Sequence, residues 1–233
     1  MVVKPKEEQL PSFISEFECC FGELGTLPKV HKIVIDPSVP PVIHPPRRVP
    51  ITIQPKLKEE LDRMEKLGVI SKVTEPTDWV SSLVVVEKPD GSIRICLDPK
   101  DLNQAIKRSH VQLPTAEDII SKMTGARYFS KLDASSGYWQ TKLDEESSKL
   151  LCFNSPFGRY KFNRLPFGVS NASEIFQLDI AEIIEGIEGA ANAQDDIIVW
   201  GDTKEVHDQR LHEVLSRIKD SGLKLNRKKC QFC

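Results

Sequence analysis

The chain has 233 residues, of which 39% are apolar and 28% are charged, and these proportions exclude wholesale disorder. The formal net charge of −2 at pH 7 excludes a chain that is basic overall, so any groove for nucleic acid would need a local surplus of Lys and Arg. No stretch is apolar for long enough to span a bilayer, and six irregularly spaced cysteines without a secretory leader indicate reduced thiols in an intracellular protein.

The first part of the chain, residues 1–55, is rich in proline. Proline removes backbone donors and favours extended segments, so this region predicts an arm that wraps a core, a linker, or disorder. The pattern changes at Pro55. Apolar residues then recur at helical spacing and end before Gly68, which predicts a helix with a glycine after its last turn. These apolar residues are Leu57, Leu61, Met64 and Leu67.

Two strands are predicted next. Residues 79–88 are rich in β-branched side chains, residues 89–92 read Pro-Asp-Gly-Ser, and residues 93–97 alternate again. This pattern is typical of a β-hairpin. Its tip would be flanked by Lys88 and Arg94.

The remaining elements alternate in type. Residues 114–123, 174–187 and 204–220 predict helices, while 128–133 and 197–200 predict strands. Helices mixed with mostly hairpin-connected strands indicate an α+β fold. The histidines of the last helix, His207 and His212, are expected at the surface, and no Ser-His-Asp or H-E-x-x-H motif supports a third alternative, a hydrolase.

Acidic residues lie at the ends of two predicted strands: Asp133 ends strand 128–133, and Asp195 and Asp196 directly precede strand 197–200. Asp195 and Asp196 are adjacent, and neighbouring carboxylates repel each other unless a divalent cation lies between them. Read alone, they could equally form an ordinary polar turn. Asp133 ends a strand and is followed by small residues, 134–137, whose N–H groups could cradle phosphate oxygens.

An acid at one strand end and an acid pair elsewhere predict a two-metal site. Two Mg²⁺ ions about 3.5–4 Å apart would stabilise the attacking and leaving oxygens of an in-line displacement. Mg²⁺ needs few protein ligands because it retains waters and substrate phosphates. Mn²⁺ is the expected substitute ion.

Six short motifs then occur in a fixed order, at residues 97–103 (LDPKDLN), 129–140 (FSKLDASSGYWQ), 164–168 (RLPFG), 171–177 (NASEIFQ), 195–201 (DDIIVWG) and 222–232 (GLKLNRKKCQF). Together they resemble the reverse transcriptases of gypsy-type LTR retrotransposons over about residues 40–233. The resemblance implies the fingers and palm of a right-hand polymerase, with an antiparallel palm sheet backed by helices.

The resemblance also implies a domain order. Residues 56–127 would be mainly fingers and 128–233 mainly palm, with fingers strands interleaved around 145–165. Thumb, connection and RNase H regions would lie beyond Cys233. The chain would then be a fragment of a Pol polyprotein with RNase H and integrase regions, located in the cytoplasm or in virus-like particles.

Catalytic roles follow from the same resemblance. Asp133, Asp195 and Asp196 would be the catalytic acids that hold the metal ions. Lys229 would protonate the leaving pyrophosphate, since a lysine can shift its pKa. The implied activity is RNA-directed DNA polymerisation, a nucleotidyl transfer of deoxynucleotides onto a primer.

A second set would bind the incoming deoxynucleotide. Lys88 and Arg94 would hold its triphosphate, and Tyr138 would lie under the sugar and exclude a 2′-hydroxyl. The full implied set is Lys88, Arg94, Ala134, Ser135, Ser136, Gly137, Tyr138, Phe167 and Gly168. The primed RNA or DNA template would contact Asp98, Lys100, Asn103 and Gln194.

The sequence departs from the family pattern at two positions. Ala193 stands where the Y-x-D-D motif has its tyrosine, and Ser173 stands where proline is common. The tyrosine normally packs near the primer end. An alternative therefore stays open, in which the chain is a truncated, catalytically impaired fragment that acts only as a nucleic-acid-binding or assembly module.

Overall fold

The computed structural model describes residues 11–89, 91–108, 114–193 and 195–233. The chain divides into two compact units. Unit 1 comprises residues 1–28, 111–137 and 174–233, and unit 2 comprises residues 29–110 and 138–173. Within the described ranges, no helix combines the length and apolar character needed to cross a membrane.

Six α-helices are described, together with 3₁₀ helices at Ser12–Cys20 and Gly137–Gln140. The α-helices are α1 (Gln54–Lys66), α2 (Lys100–Ala105), α3 (Ala116–Lys122), α4 (Glu145–Leu150), α5 (Ala172–Ile183) and α6 (Lys204–Ser221). The strands are β1 (Val30–His31), β2 (Ile70–Lys72), β3 (Ser82–Glu87), β4 (Ile93–Asp98), β5 (Tyr128–Asp133), β6 (Lys142–Leu143), β7 (Cys152–Ser155), β8 (Gly158–Phe162), β9 (Ala190–Ala193) and β10 (Asp196–Gly201).

Unit 1 is built on an antiparallel sheet with the strand order β5-β10-β9. Helix α6 packs against β10 and β5 and against the 3₁₀ helix Ser12–Cys20. Its ends follow local chemistry, because the Thr203 side chain caps the first turn and Gly222 takes a left-handed φ of 75° after the last. The core between them is apolar and includes Phe17, Leu132, Ile197, Val199, Leu211 and Leu215.

The end of the chain extends this sheet on the free side of β5. Lys131 and Gln231 exchange both backbone hydrogen bonds, each 2.8 Å long, in an antiparallel bridge. The N–H of Asn226 donates to the carbonyl of Asp133 at 2.8 Å. Strand β5 is therefore held by backbone hydrogen bonds along both edges.

Unit 2 contains the antiparallel sheet β2-β8-β7, the hairpin β3-β4 and a short parallel pair, β1-β6. Helix α1 packs against β2 and β4 through its buried apolar face. Leu57, Leu61 and Met64 form that face, as predicted. Gly68 follows the helix with a left-handed φ of 69°, which confirms its predicted place after the last turn.

The proline-rich segment contributes buried side chains to both units where it is described. Ile14, Phe17 and Cys20 of the 3₁₀ helix are buried in unit 1, and Ile33 is buried in unit 2. An isolated bridge pairs Ile43 with Val80 in unit 2. The division into units also interleaves the predicted fingers and palm ranges, so the assignment of those names to the units stays a prediction.

Most predicted elements are confirmed, and so is the α+β class. The hairpin pairs β3 with β4 antiparallel, with Val86 opposite Arg94, and its turn closes with Lys88 N–H donating to Ser92 O at 2.8 Å. Asp90 of the predicted turn lies outside the described residues. The helix predicted to reach residue 187 ends earlier, at Ile183, before Gly186, which has a left-handed φ of 79°.

The expected surface position of His207 is wrong. Its side chain is fully buried, with Nε2 at 2.9 Å from Ser130 Oγ and Nδ1 at 2.9 Å from Asp208 Oδ1. Ser130 is itself 1% exposed, so this row of hydrogen-bonded Ser, His and Asp side chains is not accessible to a substrate. It supports β5, because Ser130 Oγ also accepts the N–H of Cys233 at 3.2 Å. His212 is exposed as predicted.

Candidate functional site

The register of β5 and β10 determines where two of the predicted acids lie. Asp133, the last residue of β5, is directly opposite Asp196, the first residue of β10. Directly opposed residues of an antiparallel pair project from the same face with Cβ atoms about 4.5–5.5 Å apart, and like charges there repel. Both side chains are partly shielded, at 15% and 29% exposed.

Asp195 occupies the turn of the β9-β10 hairpin, beside the same strand ends. Its carbonyl accepts the N–H of Ala134 at 3.2 Å. A Cβ added at Gly137 would lie 3.6 Å from Asp195 Cγ, in ordinary contact. Gln194, the predicted primer contact in this turn, lies outside the described residues. The three acids thus lie at one end of the unit 1 sheet.

Two lysines neutralise the opposed carboxylates. Lys229 Nζ is 3.4 Å from Asp133 Oδ2, which brings the predicted proton donor to the acids. Lys131 Nζ is 2.8 Å from Asp196 Oδ2, and this hydrogen bond raises the pKa of Lys131 above its ordinary value. Sequence reasoning missed Lys131, although its place two residues before Asp133 put both side chains on the same face of a strand.

The chemistry of these oxygens fits a hard divalent cation. Oδ1 of Asp196 is buried and has no hydrogen-bond partner among the described residues, which is costly for a carboxylate and suits a cation ligand. Across the described ranges, however, no group of three or more His, Cys, Asp or Glu side chains is arranged to hold a metal. The acids do not form a closed cage, and Mg²⁺ seldom requires one.

Three backbone N–H groups of the predicted phosphate cradle donate hydrogen bonds within unit 1. The N–H of Ala134 donates to Asp195 O, that of Ser135 donates to Lys224 O at 2.8 Å, and that of Gly137 donates to Ala134 O at 3.4 Å. These hydrogen bonds fix the turn after Asp133, and a role of its N–H groups toward phosphate stays a prediction. Ser136 adopts a left-handed φ of 54°, which is uncommon for a residue with a Cβ.

Cys230 is a second residue that sequence reasoning missed at the acids. Its Sγ accepts the backbone N–H of Asp133 at 3.4 Å. Burial is the main cause that raises the pKa of this thiol; the hydrogen bond from Asp133 opposes it, and the negative charges of Asp133 and Asp196 add smaller increases. The thiol therefore stays protonated beside the acids. No periodicity in the sequence indicates this contact, because it depends on how the last residues return along β5.

Unit 2 holds a separate cluster of predicted nucleotide-binding residues. The rings of Tyr138 and Phe167 are tilted against each other with centroids 4.9 Å apart. The guanidinium of Arg94 lies over the Phe167 ring at 5.3 Å from its centroid, a favourable cation–π geometry. The structure brings these three residues together, and Lys88 lies at the tip of the same hairpin as Arg94.

Gly168 is fixed by a close approach of two backbone segments in unit 2. It has a φ of 108°, and an added Cβ would lie 2.0 Å from the carbonyl oxygen of Leu97. Asn103 holds the same loop, since its Nδ2 donates to Gly168 O at 3.0 Å and its Oδ1 accepts the N–H of Ser170 at 2.9 Å. Asn103 is thus engaged in positioning the Phe167–Gly168 loop.

The other predicted template contacts lie on the same part of unit 2. Asp98, at the end of β4, forms an ion pair with Arg47 at 2.5 Å. Lys100 begins α2 and is exposed. Neither the ion pair of Asp98 nor the exposure of Lys100 indicates a role toward nucleic acid.

Solved structures share this fold. The chain superposes on the protease–reverse transcriptase of prototype foamy virus with a TM-score of 0.86 and 23% identity, covering 94% of this chain and 30% of that one. A foamy viral protease–reverse transcriptase solved with an RNA/DNA hybrid matches with a TM-score of 0.85 and 20% identity, covering 94% and 30%. The predicted fold is therefore confirmed: a mixed α+β fold with antiparallel sheets, of the kind found in polymerase fingers and palm.

Sequence comparison specifies the family within that class. The profile described as reverse transcriptase (RNA-dependent DNA polymerase) matches residues 86–233, which is more than half of the chain. The chain belongs to the reverse transcriptase family. This agrees with the motif resemblance, although it leaves the gypsy-type subclass open.

Curated relatives are longer proteins. An uncharacterized protein of Caenorhabditis elegans is 36% identical over 195 residues, covering 82% of this chain and 15% of that protein. A putative enzymatic polyprotein of Cassava vein mosaic virus is 31% identical, covering 87% and 32%. The retrovirus-related Pol polyprotein from transposon 412 of Drosophila melanogaster is 32% identical, covering 75% and 15%. The chain therefore spans less than a third of the length of these relatives.

Proposed function

We propose that the chain is the catalytic part of an RNA-directed DNA polymerase, which adds deoxynucleotides to a primer on an RNA or DNA template. The observation that carries this proposal is the pair of opposed carboxylates, Asp133 and Asp196, in a chain of the reverse transcriptase family. Direct opposition of like charges lowers the stability of the fold. Such unfavourable arrangements of ionisable groups are concentrated at functional sites.

The acids of unit 1 would hold the divalent cations. Asp133, Asp195 and Asp196 offer hard oxygen ligands, and Oδ1 of Asp196 lacks another partner among the described residues. Bound Mg²⁺, or Mn²⁺ in its place, would neutralise charge that develops on the attacking and leaving oxygens. Lys229 is close enough to Asp133, at 3.4 Å, to supply a proton at the leaving pyrophosphate.

The cluster of unit 2 would bind the deoxynucleotide. Arg94 offers a planar fork to phosphate oxygens, and Lys88 adds a point charge at the hairpin tip. Tyr138 and Phe167, which contact each other, would supply the apolar surface for the sugar and exclude a 2′-hydroxyl. Asp98, Lys100, Asn103 and Gln194 would act on the template side.

The larger protein would be a Pol polyprotein of a gypsy-type LTR retrotransposon. Support comes from the ordered motifs between residues 97 and 232 and from the similarity to a transposon Pol polyprotein. RNase H and integrase regions would belong to the same polyprotein. Its place would be the cytoplasm or virus-like particles.

A primer-extension assay tests this function. The purified chain is given a primed RNA template, deoxynucleotides and Mg²⁺, and Asp133→Asn and Asp196→Asn are compared with the unchanged chain. Losing a cation ligand is expected to lower the extension rate about a thousandfold, since each tenfold step needs about 1.4 kcal/mol of transition-state stabilisation.

The control is Asp220→Asn, which removes an exposed carboxylate of α6 and is expected to retain the rate. Extension that survives both replacements at Asp133 and Asp196 would refute the assigned acids. Salt-sensitive RNA binding without incorporation, even in Ala193→Tyr, would favour the non-catalytic alternative.

A further inference from the structure

Lys131 makes the shorter of the two ion pairs at Asp133 and Asp196, 2.8 Å against 3.4 Å for Lys229, yet the proposed catalytic set gives it no role. On β5 it is opposite Ile198, whereas Asp133 is opposite Asp196. Lys131 and Asp196 are therefore diagonal neighbours on one face of the sheet, a separation that a long side chain can bridge. The observed distance of 2.8 Å between Lys131 Nζ and Asp196 Oδ2 shows that it does.

The contact engages only one oxygen of Asp196. Oδ2 accepts from Lys131, while Oδ1 is buried without a hydrogen-bond partner among the described residues. A divalent cation on this carboxylate would place two positive charges beside the Lys131 ammonium, and like charges so close repel strongly. The ammonium and the cation thus oppose each other at Asp196.

The side chain of Lys131 can move away from Asp196 while its backbone stays fixed. Its backbone is tied to Gln231 by two hydrogen bonds of 2.8 Å and is paired with Ile198 on the other edge. The side chain itself is 45% exposed, and exposed ion pairs are weak enough to be broken at small cost. A rotamer change would release Asp196 without disturbing the sheet.

We propose that Lys131 is an internal competitor of the divalent cation, occupying Asp196 in the metal-free chain and setting the affinity of the acids for the metal. The inference rests on the proposed function, because it takes the acids to be metal ligands. It makes Lys131 a positioning residue that holds Asp196 in place until the cation arrives.

Direct Mn²⁺ titration followed by electron paramagnetic resonance tests this without an activity assay. Lys131→Met is expected to lower the Kd for Mn²⁺ about threefold to tenfold, and Lys131→Arg to leave it near the original value. The matched control is Lys204→Met. Lys204 pairs with Asp208, and the two pairs have nearly equal exposure, 46% and 26% against 45% and 29%. This control should stay within twofold.

Thermal melting gives a second readout. Lys131→Met should melt at a lower temperature in EDTA, because the opposed carboxylates lose a countercharge, and should gain more from added Mn²⁺ than the unchanged chain. Lys131→Gln replaces it if the methionine variant does not fold.

Two outcomes would overturn the inference alone. Equal tightening in Lys131→Met and Lys204→Met would reduce the effect to net charge, and an unchanged Kd in Lys131→Met would exclude competition. If the unchanged chain bound no Mn²⁺, the metal site of the proposed function would fail first, and the inference with it.

Discussion

The acids of unit 1 and the aromatic–arginine cluster of unit 2 are held in place by different forces. Asp133 is fixed through its backbone, since its N–H donates to Cys230 Sγ and its carbonyl accepts from Asn226. Arg94, Tyr138 and Phe167 are arranged through contacts between side chains. Backbone hydrogen bonds at both edges fix a carboxylate within a strand register, whereas stacked side chains depend on each neighbour in turn.

This difference predicts where each region is vulnerable. The acids should tolerate changes in nearby side-chain volume but not a change of charge. The cluster of unit 2 should respond to loss of shape, above all where its loop approaches another segment. Replacements of single glycines and rings in the two units separate the two kinds of support.

The largest expected effect is at Gly168, which supports the unit 2 cluster. Gly168→Ala would place a Cβ 2.0 Å from Leu97 O at a φ of 108°, so either the loop or β4 must shift. Backbone strain and overpacking together should cost about 3 kcal/mol or more in the free energy of unfolding, measured by urea denaturation.

The matched replacement in unit 1 is Gly137→Ala. A Cβ there would make ordinary contacts at 3.6 Å with Asp195 Cγ and Phe176 Cε1, so a change below about 1 kcal/mol is expected. If the two variants lost equal stability, close approach would not be the special feature of the Gly168 loop.

A smaller effect is expected at Phe167, the residue that joins Tyr138 to Arg94. Phe167→Ala removes the ring contact of 4.9 Å and the cation–π contact of 5.3 Å. The KM for deoxynucleotide in primer extension should rise about tenfold, with a smaller change in kcat, since such contacts contribute about 1 kcal/mol each.

Phe157→Ala is the control for that replacement, because Phe157 is also half-buried in unit 2 but lies at the β7-β8 turn. It should leave KM unchanged. A drop in kcat at constant KM in Phe167→Ala would instead assign the ring to a step after nucleotide binding.

The same contrast explains what the sequence could predict. Hydrophobic periodicity and turn residues give β5, β10, α1 and α6 because these signals are local. The opposition of Asp133 and Asp196 depends on strand register, which no local pattern states. The contact between Cys230 and Asp133 spans 97 residues along the chain, so it too was beyond local inference.

The prediction that His207 lies at the surface was wrong for a related reason. Its helix is amphipathic, and a polar residue on such a helix is ordinarily placed on the outer face. His207 instead faces Ser130 on β5, and both of its ring nitrogens have partners. Asp208 is adjacent in sequence, but Ser130 is 77 residues away. A buried polar residue needs such hydrogen-bond partners, and the sequence around His207 does not reveal the distant one.

The smallest effect is expected at Tyr160 of unit 2, which differs from His207 in its hydrogen bonding. Tyr160 is fully buried, and its hydroxyl has no hydrogen-bond partner among the described residues. Tyr160→Phe removes that group without changing the ring, so the free energy of unfolding at pH 7 should stay equal or rise by up to about 1 kcal/mol. His207→Leu should instead lower it by about 1–3 kcal/mol, because Ser130 and Asp208 lose their partner.

Tyr160→Phe should also change how the free energy of unfolding depends on pH. Burial raises the pKa of Tyr160 above its ordinary value of 10.0, and the charge of Glu65 raises it further. Above about pH 10 the unfolded chain then releases this proton while the folded chain keeps it, so stability falls as the pH rises. Buried thiols such as Cys152, whose pKa is also raised by burial, add to that fall in both proteins. The difference in unfolding free energy between Tyr160→Phe and the unchanged chain, measured in urea from pH 7 to 11, should therefore widen above pH 10, and a constant difference would place the hydroxyl in contact with water.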